Sequence, residues 1–306
     1  MKKIVLYLVL TSLFVFGSAS VANASIISDK SYRLEQKKAV SRDIKQVKEL
    51  IKVHNTFANK HDLAALNALY AENYISSDGF DKKVYFKSIE ETWKECDDLT
   101  YTTRIKDINI KGDYASVSVE ETATGTISDV LESEPIAGEI HSVSTGIYYL
   151  EKKNGKWYIS GENDLTDESS LLYGDARFMN IEIQAPDQVS AGENFTTSLK
   201  VSADENTFII GSIDHDPVTF PSGSPASNLR ALPQSQTLER IITANSDNLN
   251  EYVIASLAIS KVRKGSDEND VRVYMAGLAC VMKRVNVVPK NNFIKLEEEK
   301  VENVNM

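Results

Sequence analysis

Two cysteines, four histidines and seven prolines are spread singly through 306 residues, and each scarcity closes off a class of chemistry. So few cysteines exclude a disulfide framework and a Cys-rich structural zinc site. Cys96 and Cys280 lie far enough apart in sequence that a bridge would have to cross between domains, so two buried thiols are expected. No G-x-S-x-G elbow occurs to anchor a hydrolase triad, and no glycine-rich phosphate loop is present. Basic charge is also in short supply, with 34 Lys and Arg against 44 Asp and Glu and a net charge of −10. Such a surface repels phosphate backbones and anionic lipid heads, so neither nucleic acid nor the membrane is expected as a partner. Beyond Phe16 no stretch approaches the ~20 apolar residues that a membrane helix needs.

The N-terminus carries the clearest signal. Lys2 and Lys3 precede an apolar run from Ile4 to Phe16, and small residues end in Ala22-Asn23-Ala24. This reads as a signal peptide over 1–24, with no cysteine after it for a lipid, and predicts an exported, periplasmic or secreted protein. Residues 25–40 read as an N-terminal extension. From Asp43, Val47, Ile51, Phe57 and Ala58 recur at helical spacing, with Leu50 and His54 on neighbouring rows. Asp62 is placed to cap a second helix carrying Leu63, Leu66, Leu69 and Tyr70, and Tyr74-Ile75 can start a short strand. Ser77-Asp78-Gly79 reads as a turn, and a third helix is predicted over 82–96.

After Leu99 the pattern changes to strands: 101–110, 114–126 with Ala115, Val117 and Val119 on one face, then 139–152. Asn154-Gly155 supplies a tight hairpin turn, and 156–161 returns as its partner. The order of helices then long antiparallel strands is α+β. The blocks Asp62-Leu63-Ala64-Ala65-Leu66, Leu69-Tyr70-Ala71-Glu72-Asn73-Tyr74, Gly112-Asp113-Tyr114-Ala115-Ser116-Val117 and Leu150 through Ile159 come in an order that resembles the nuclear-transport-factor-2-like (NTF2-like) superfamily. Its SnoaL-like bacterial branches are the most similar. The resemblance covers 41–165 and implies a cone of three helices over a curved antiparallel sheet, enclosing a cavity, with homodimerisation through the sheet's outer face.

Residues 166–178 are polar and read as a linker. Over 179–289 short strands alternate with turns, suggesting an all-β sandwich, and the stretch from Ala185-Pro186 to Ala191-Gly192-Glu193 resembles bacterial immunoglobulin-like modules, which carry no active site. Residues 220–233 form a long Pro- and Gly-containing loop, and 290–306 a polar tail. The predicted architecture is thus a cone-shaped α+β domain followed by a separate all-β sandwich.

Candidate functional residues cluster in the first half. Enzymes of the resembled fold, such as steroid isomerases and polyketide cyclases, use a buried carboxylate to move a proton beside a carbon acid while a tyrosine or second acid holds the oxygen. Asp78, Glu121 and Glu162 are candidate bases, and Tyr70, Tyr74 and Tyr149 candidate donors. His54, Phe57, Tyr70, Tyr74, Trp93, Val117, Val119, Glu121, Tyr149 and Trp157 are expected around the cavity. His61-Asp62 and Asp214-His215-Asp216 lack a third ligand at a recognisable spacing, so no metal and no cofactor are expected. The leading expectation is a binding or interaction protein for a small molecule, peptide or envelope partner. The alternatives are an isomerase- or dehydratase-type enzyme with a carboxylate base and tyrosine donor, and a structural envelope component.

Overall fold

The computed structural model describes residues 29–131, 134–204, 206–221, 228–264 and 271–290. The leader at 1–24, residues 222–227 of the long loop and the tail beyond 290 lie outside the described residues. Among the described residues no helix is long and apolar enough to cross a membrane.

Helix α1 (Asp29–Asn59) turns Asp43, Val47, Leu50, Ile51, His54 and Ala58 inward, a stripe at helical spacing. It ends at His61, whose φ is +51°. Asp62 caps α2 (Leu63–Asn67) by accepting the Ala65 amide at 3.0 Å. This second helix is shorter than its apolar spacing suggested: Tyr70 already belongs to strand β1 (Tyr70–Ser76). Helix α3 (Lys82–Glu95), capped by Asp81, completes the helical layer.

Four long strands follow: β2 (Thr100–Lys111), β3 (Tyr114–Leu131), β4 (Glu134–Lys153) and β5 (Lys156–Gly174). Asn154 and Gly155, both at positive φ, make the β4–β5 hairpin turn. A 3-10 turn (Asp175–Phe178) leads to β6 (Ile181–Gln184), β7 (Gln188–Ser190), β8 (Asn194–Val201), β9 (Thr207–Pro217), β10 (Arg230–Ala231), β11 (Thr237–Thr243), β12 (Glu251–Lys264) and β13 (Val271–Val288).

The predicted division into a three-helix cone and a separate sandwich is overturned by the sheet. Strands run in the unbroken order β10-β9-β12-β13-β5-β4-β3-β2, so one ten-stranded sheet, with β1 and β7 paired alongside, passes through both halves. Of the residues expected to form a linker, 166–178, the first nine are the second half of β5, and they pair with β4 on one side and β13 on the other. Their polarity misleads because the side chains that alternate inward there, Asp167 and Ser169, are buried with partners rather than solvated. A second sheet, β11-β8-β6, covers only the far end of the large one. Between these two layers lies one core, around Leu199, Ile213, Val253 and Ile259. The other core lies under the helices and also takes in Val218, Tyr252, Ile254 and Met282 from the C-terminal half, so the halves share apolar packing as well as hydrogen bonds.

The seam between β5 and β13 is tight. Gly174 faces Gly277, and at φ +56° a side chain on Gly174 would run into the Ala276 carbonyl oxygen. Both cysteines are free thiols.

Candidate functional site

A cavity of about 70 Å³, open to the centres of water-sized molecules, lies between the helices and the concave face of the sheet. That is room for roughly five waters. Helix α1 contributes His54 and Asn55, α3 contributes Tyr85 and Trp93, and the strands contribute Tyr101, Thr103, Glu121, Ser144 and Tyr148. The local reasons are simple. Residues 115, 117, 119 and 121 alternate onto the inner face of β3, so Glu121 interrupts an apolar row that resumes at Ala123.

Among the described residues Glu121 is the one acid in the wall, and no Lys or Arg lines the cavity. Its Oε1 accepts the Thr103 hydroxyl at 2.6 Å and its Oε2 the Tyr148 hydroxyl at 3.0 Å. Burial raises its pKa, and the two hydrogen bonds only partly oppose the rise. Opposite in sense, burial lowers the His54 pKa to about 4, which leaves the imidazole neutral at physiological pH. His54 Nε2 shares a hydrogen bond with the Tyr70 hydroxyl at 2.8 Å, while its Nδ1 is buried with no partner among the described residues. Trp93 stacks on His61 at 4.5 Å and donates its indole N–H to the Tyr101 hydroxyl at 2.9 Å. An indole N–H only donates, so Tyr101 accepts and keeps its own proton for another acceptor.

A second arrangement of buried charge lies deeper, at the seam. Two register shifts in β5, at Ser160 and Leu165, turn Glu162 and Asp164 inward and return the alternation so that Asp167 also faces in. Glu162 accepts the Tyr74 hydroxyl at 2.6 Å, and Asp167 accepts the hydroxyls of Tyr252 at 2.5 Å and Ser142 at 3.2 Å. Arg284, on β13, is fully buried and grips Asp78 with two nitrogens at 2.7 and 3.2 Å, with Asp164 at 3.8 Å. Asn250 donates to Asp78 as well, at 2.7 Å. Burial works against the guanidinium charge, but Asp78 and Asp164 outweigh it and hold the Arg284 pKa above its usual value.

The predicted candidates therefore separate. His54, Trp93 and Glu121 line the cavity. Tyr70 stands one hydrogen bond behind His54, and Tyr74 one layer further back on Glu162. Val119 borders a cleft, too narrow for water, in which Glu121 and Tyr148 meet Glu162 and Asp164; Val117 is core below it. Phe57 is half-buried against the core and Trp157 is buried under the Lys152 ammonium, 5.4 Å from its ring. Asp78 is not in the cavity: it is the counter-ion of Arg284. Tyr149 lies on the opposite face of β4, and its neighbour Tyr148 takes the place expected of it. The signal for Tyr148 was available, since counting alternation back from Leu150 at the hairpin puts 148, not 149, inward. Thr103, Tyr85 and Tyr101 carried no such signal.

The remaining polar motifs have local roles. His61 bonds the Leu99 carbonyl at 2.8 Å, Asp214 pairs with Arg240 at 2.7 Å, and His215 meets Glu251 at 3.3 Å. Among the described residues no three potential ligands converge on a metal-sized site.

No family model and no curated protein matches this sequence. Among solved structures it is similar to a putative scytalone dehydratase from Novosphingobium aromaticivorans, at 13% identity over 42% of this chain and 86% of that one, TM-score 0.35. A hexachlorocyclohexane dehydrochlorinase from Novosphingobium barchaimii aligns at 13% identity over 42% and 88%, TM-score 0.31. A putative dehydratase of the NTF2-like family from Streptomyces avermitilis aligns at 12% identity over 40% and 96%, TM-score 0.32. The solved structures similar to this chain include NTF2-like proteins, each matched over about two fifths of this chain's length.

Proposed function

We propose that the cavity is an active site for proton transfer at carbon, acting on a small, largely apolar molecule, as in isomerisation or elimination. One observation carries this reading: Glu121 is an acid of raised pKa, held by two hydroxyl donors in an otherwise mostly apolar enclosure without a cationic partner. Such a carboxylate, once ionised, is a stronger base than one in water, and Thr103 and Tyr148 fix its direction. Tyr101, polarised by the Trp93 N–H, is the donor for oxygen charge that develops as the proton leaves. His54 stays neutral and shares a hydrogen bond with Tyr70, so it lines the cavity without bringing a positive charge to Glu121. An extracytoplasmic setting is part of the proposal and is supported by the basic, apolar and small-residue pattern of residues 1–24.

The test needs no knowledge of the natural substrate. Small cyclic ketones incubated in D2O with the protein are followed by NMR for deuterium entering the carbon next to the carbonyl. The wild type is expected to exceed the buffer rate by at least about a hundredfold, and Glu121→Gln to return it to background. Equal rates in wild type, variant and buffer would sink the proton-transfer reading and favour a cavity that binds without chemistry.

A further inference from the structure

The cavity's walls say something about the charge of what enters it. Four aromatic rings, Tyr85, Trp93, Tyr101 and Tyr148, line the same small space as Glu121. Among the described residues no lysine or arginine lines it, and the imidazole of His54 is neutral. Arg284, the buried cation at the seam, is already occupied by Asp78 and Asp164. Behind Glu121, across a cleft that excludes water, lie the carboxyl-bearing side chains of Glu162 and Asp164. An anionic guest would meet the Glu121 carboxylate and aromatic rings with no cation among the described lining residues to neutralise it, and a neutral guest would leave Glu121 without a counter-charge. Ring faces carry the negative end of the aromatic quadrupole, so several of them beside a carboxylate form an environment that attracts a diffuse positive charge.

We propose that the ligand taken by this cavity is a small organic cation, its ammonium head seated among Tyr85, Trp93, Tyr101 and Tyr148 with Glu121 as counter-ion. A substituted ammonium suits the site better than a metal ion or free ammonium. It spreads its charge over methyl or methylene groups that pack on rings, and it does not demand a shell of oxygen ligands that these walls lack. His61 covers one face of Trp93, so the other face is the one the indole has to offer. The cation would also draw Glu121 into its ionised form, the form that the proton-transfer reading needs. The inference rests on that reading only in taking this cavity as the working site.

Choline and 3,3-dimethylbutan-1-ol have the same shape and differ by one charge, so the pair tests the inference on the unmodified protein. Binding to the full mature chain, residues 25–306, is followed by NMR and Trp fluorescence in enough salt to screen the acidic surface. Choline is expected to bind roughly tenfold tighter than the neutral isostere. Glu121→Gln and Trp93→Leu should each reduce that ratio to near one. Equal affinity, tighter binding of the alcohol, or no choline binding at about 10 mM would overturn the inference, and the wild-type comparison decides the matter even if neither variant folds. Deuterium entry into neutral ketones without a preference for choline would defeat this inference and leave the proton-transfer reading standing. A preference for choline without deuterium entry would do the reverse.

Discussion

Two sets of carboxylates along the same sheet are held on opposite terms. At the seam, Asp78 and Asp164 face Arg284, Asn250 adds a further hydrogen bond, and Asp167 accepts three hydroxyls. At the cavity, Glu121 has two hydroxyl donors and no cation. The first arrangement satisfies itself from within the protein and holds two stretches of chain together. The second leaves a charge to be balanced by something that is not protein. Burial alone therefore does not mark a working acid; what matters is whether the fold already supplies the partner.

The sharpest way to break this comparison is at Arg284. Arg284→Met strands two buried carboxylates and is expected to cost about 3–5 kcal/mol in urea unfolding, whereas exchanging Arg284, Asp78 and Asp164 together for neutral residues should recover at least half of that loss. A small effect of the single change would mean that the seam cluster is more solvated than its burial indicates.

His54 gives the next largest effect, and one whose sign is fixed. Its folded pKa of about 4 lies below the unfolded value near 6.5, so between them the unfolded chain binds more protons and stability falls as the pH drops. The loss should reach about 3 kcal/mol by pH 4, and His54→Leu should flatten that part of the profile relative to wild type. The acids act in the other direction. Burial raises the pKa values of Asp164 and Asp167, so the folded protein holds the extra protons, and stability declines as the pH climbs from the ordinary carboxylate range through those raised values.

The smallest expected stability change is at Glu121. Glu121→Gln keeps the shape and one acceptor, so its thermal midpoint should correspond to a change within about 1 kcal/mol while deuterium entry is lost. A large loss of stability instead would move Glu121 into the same class as Asp78.

Much of the first half was legible because its residues obey local rules. The α1 stripe, the Asp62 cap, the Asn154-Gly155 turn and the β3 alternation all follow from spacing and turn chemistry, and Glu121 was found through that alternation. Asp78 and the second half of β5 were misread for one shared reason. Asp78 was expected as a base at the cavity and the acids of 166–174 in solvent, whereas in both places a distant partner decides the position. For Asp78 that partner is Arg284, 206 residues away in sequence.

The sequence by itself determined most element types of the first half, the acidic balance of the chain and the inward side of β3, since each is set by composition or by neighbours within a few residues. The tertiary structure alone decided that β5 pairs with β13 to make one sheet of two halves. It also decided which acids find a cation and that Tyr148 rather than Tyr149 meets Glu121. Those outcomes depend on bulges in long strands and on pairing between distant segments, where hydrogen bonds and counter-charges become available only once the chain has closed on itself.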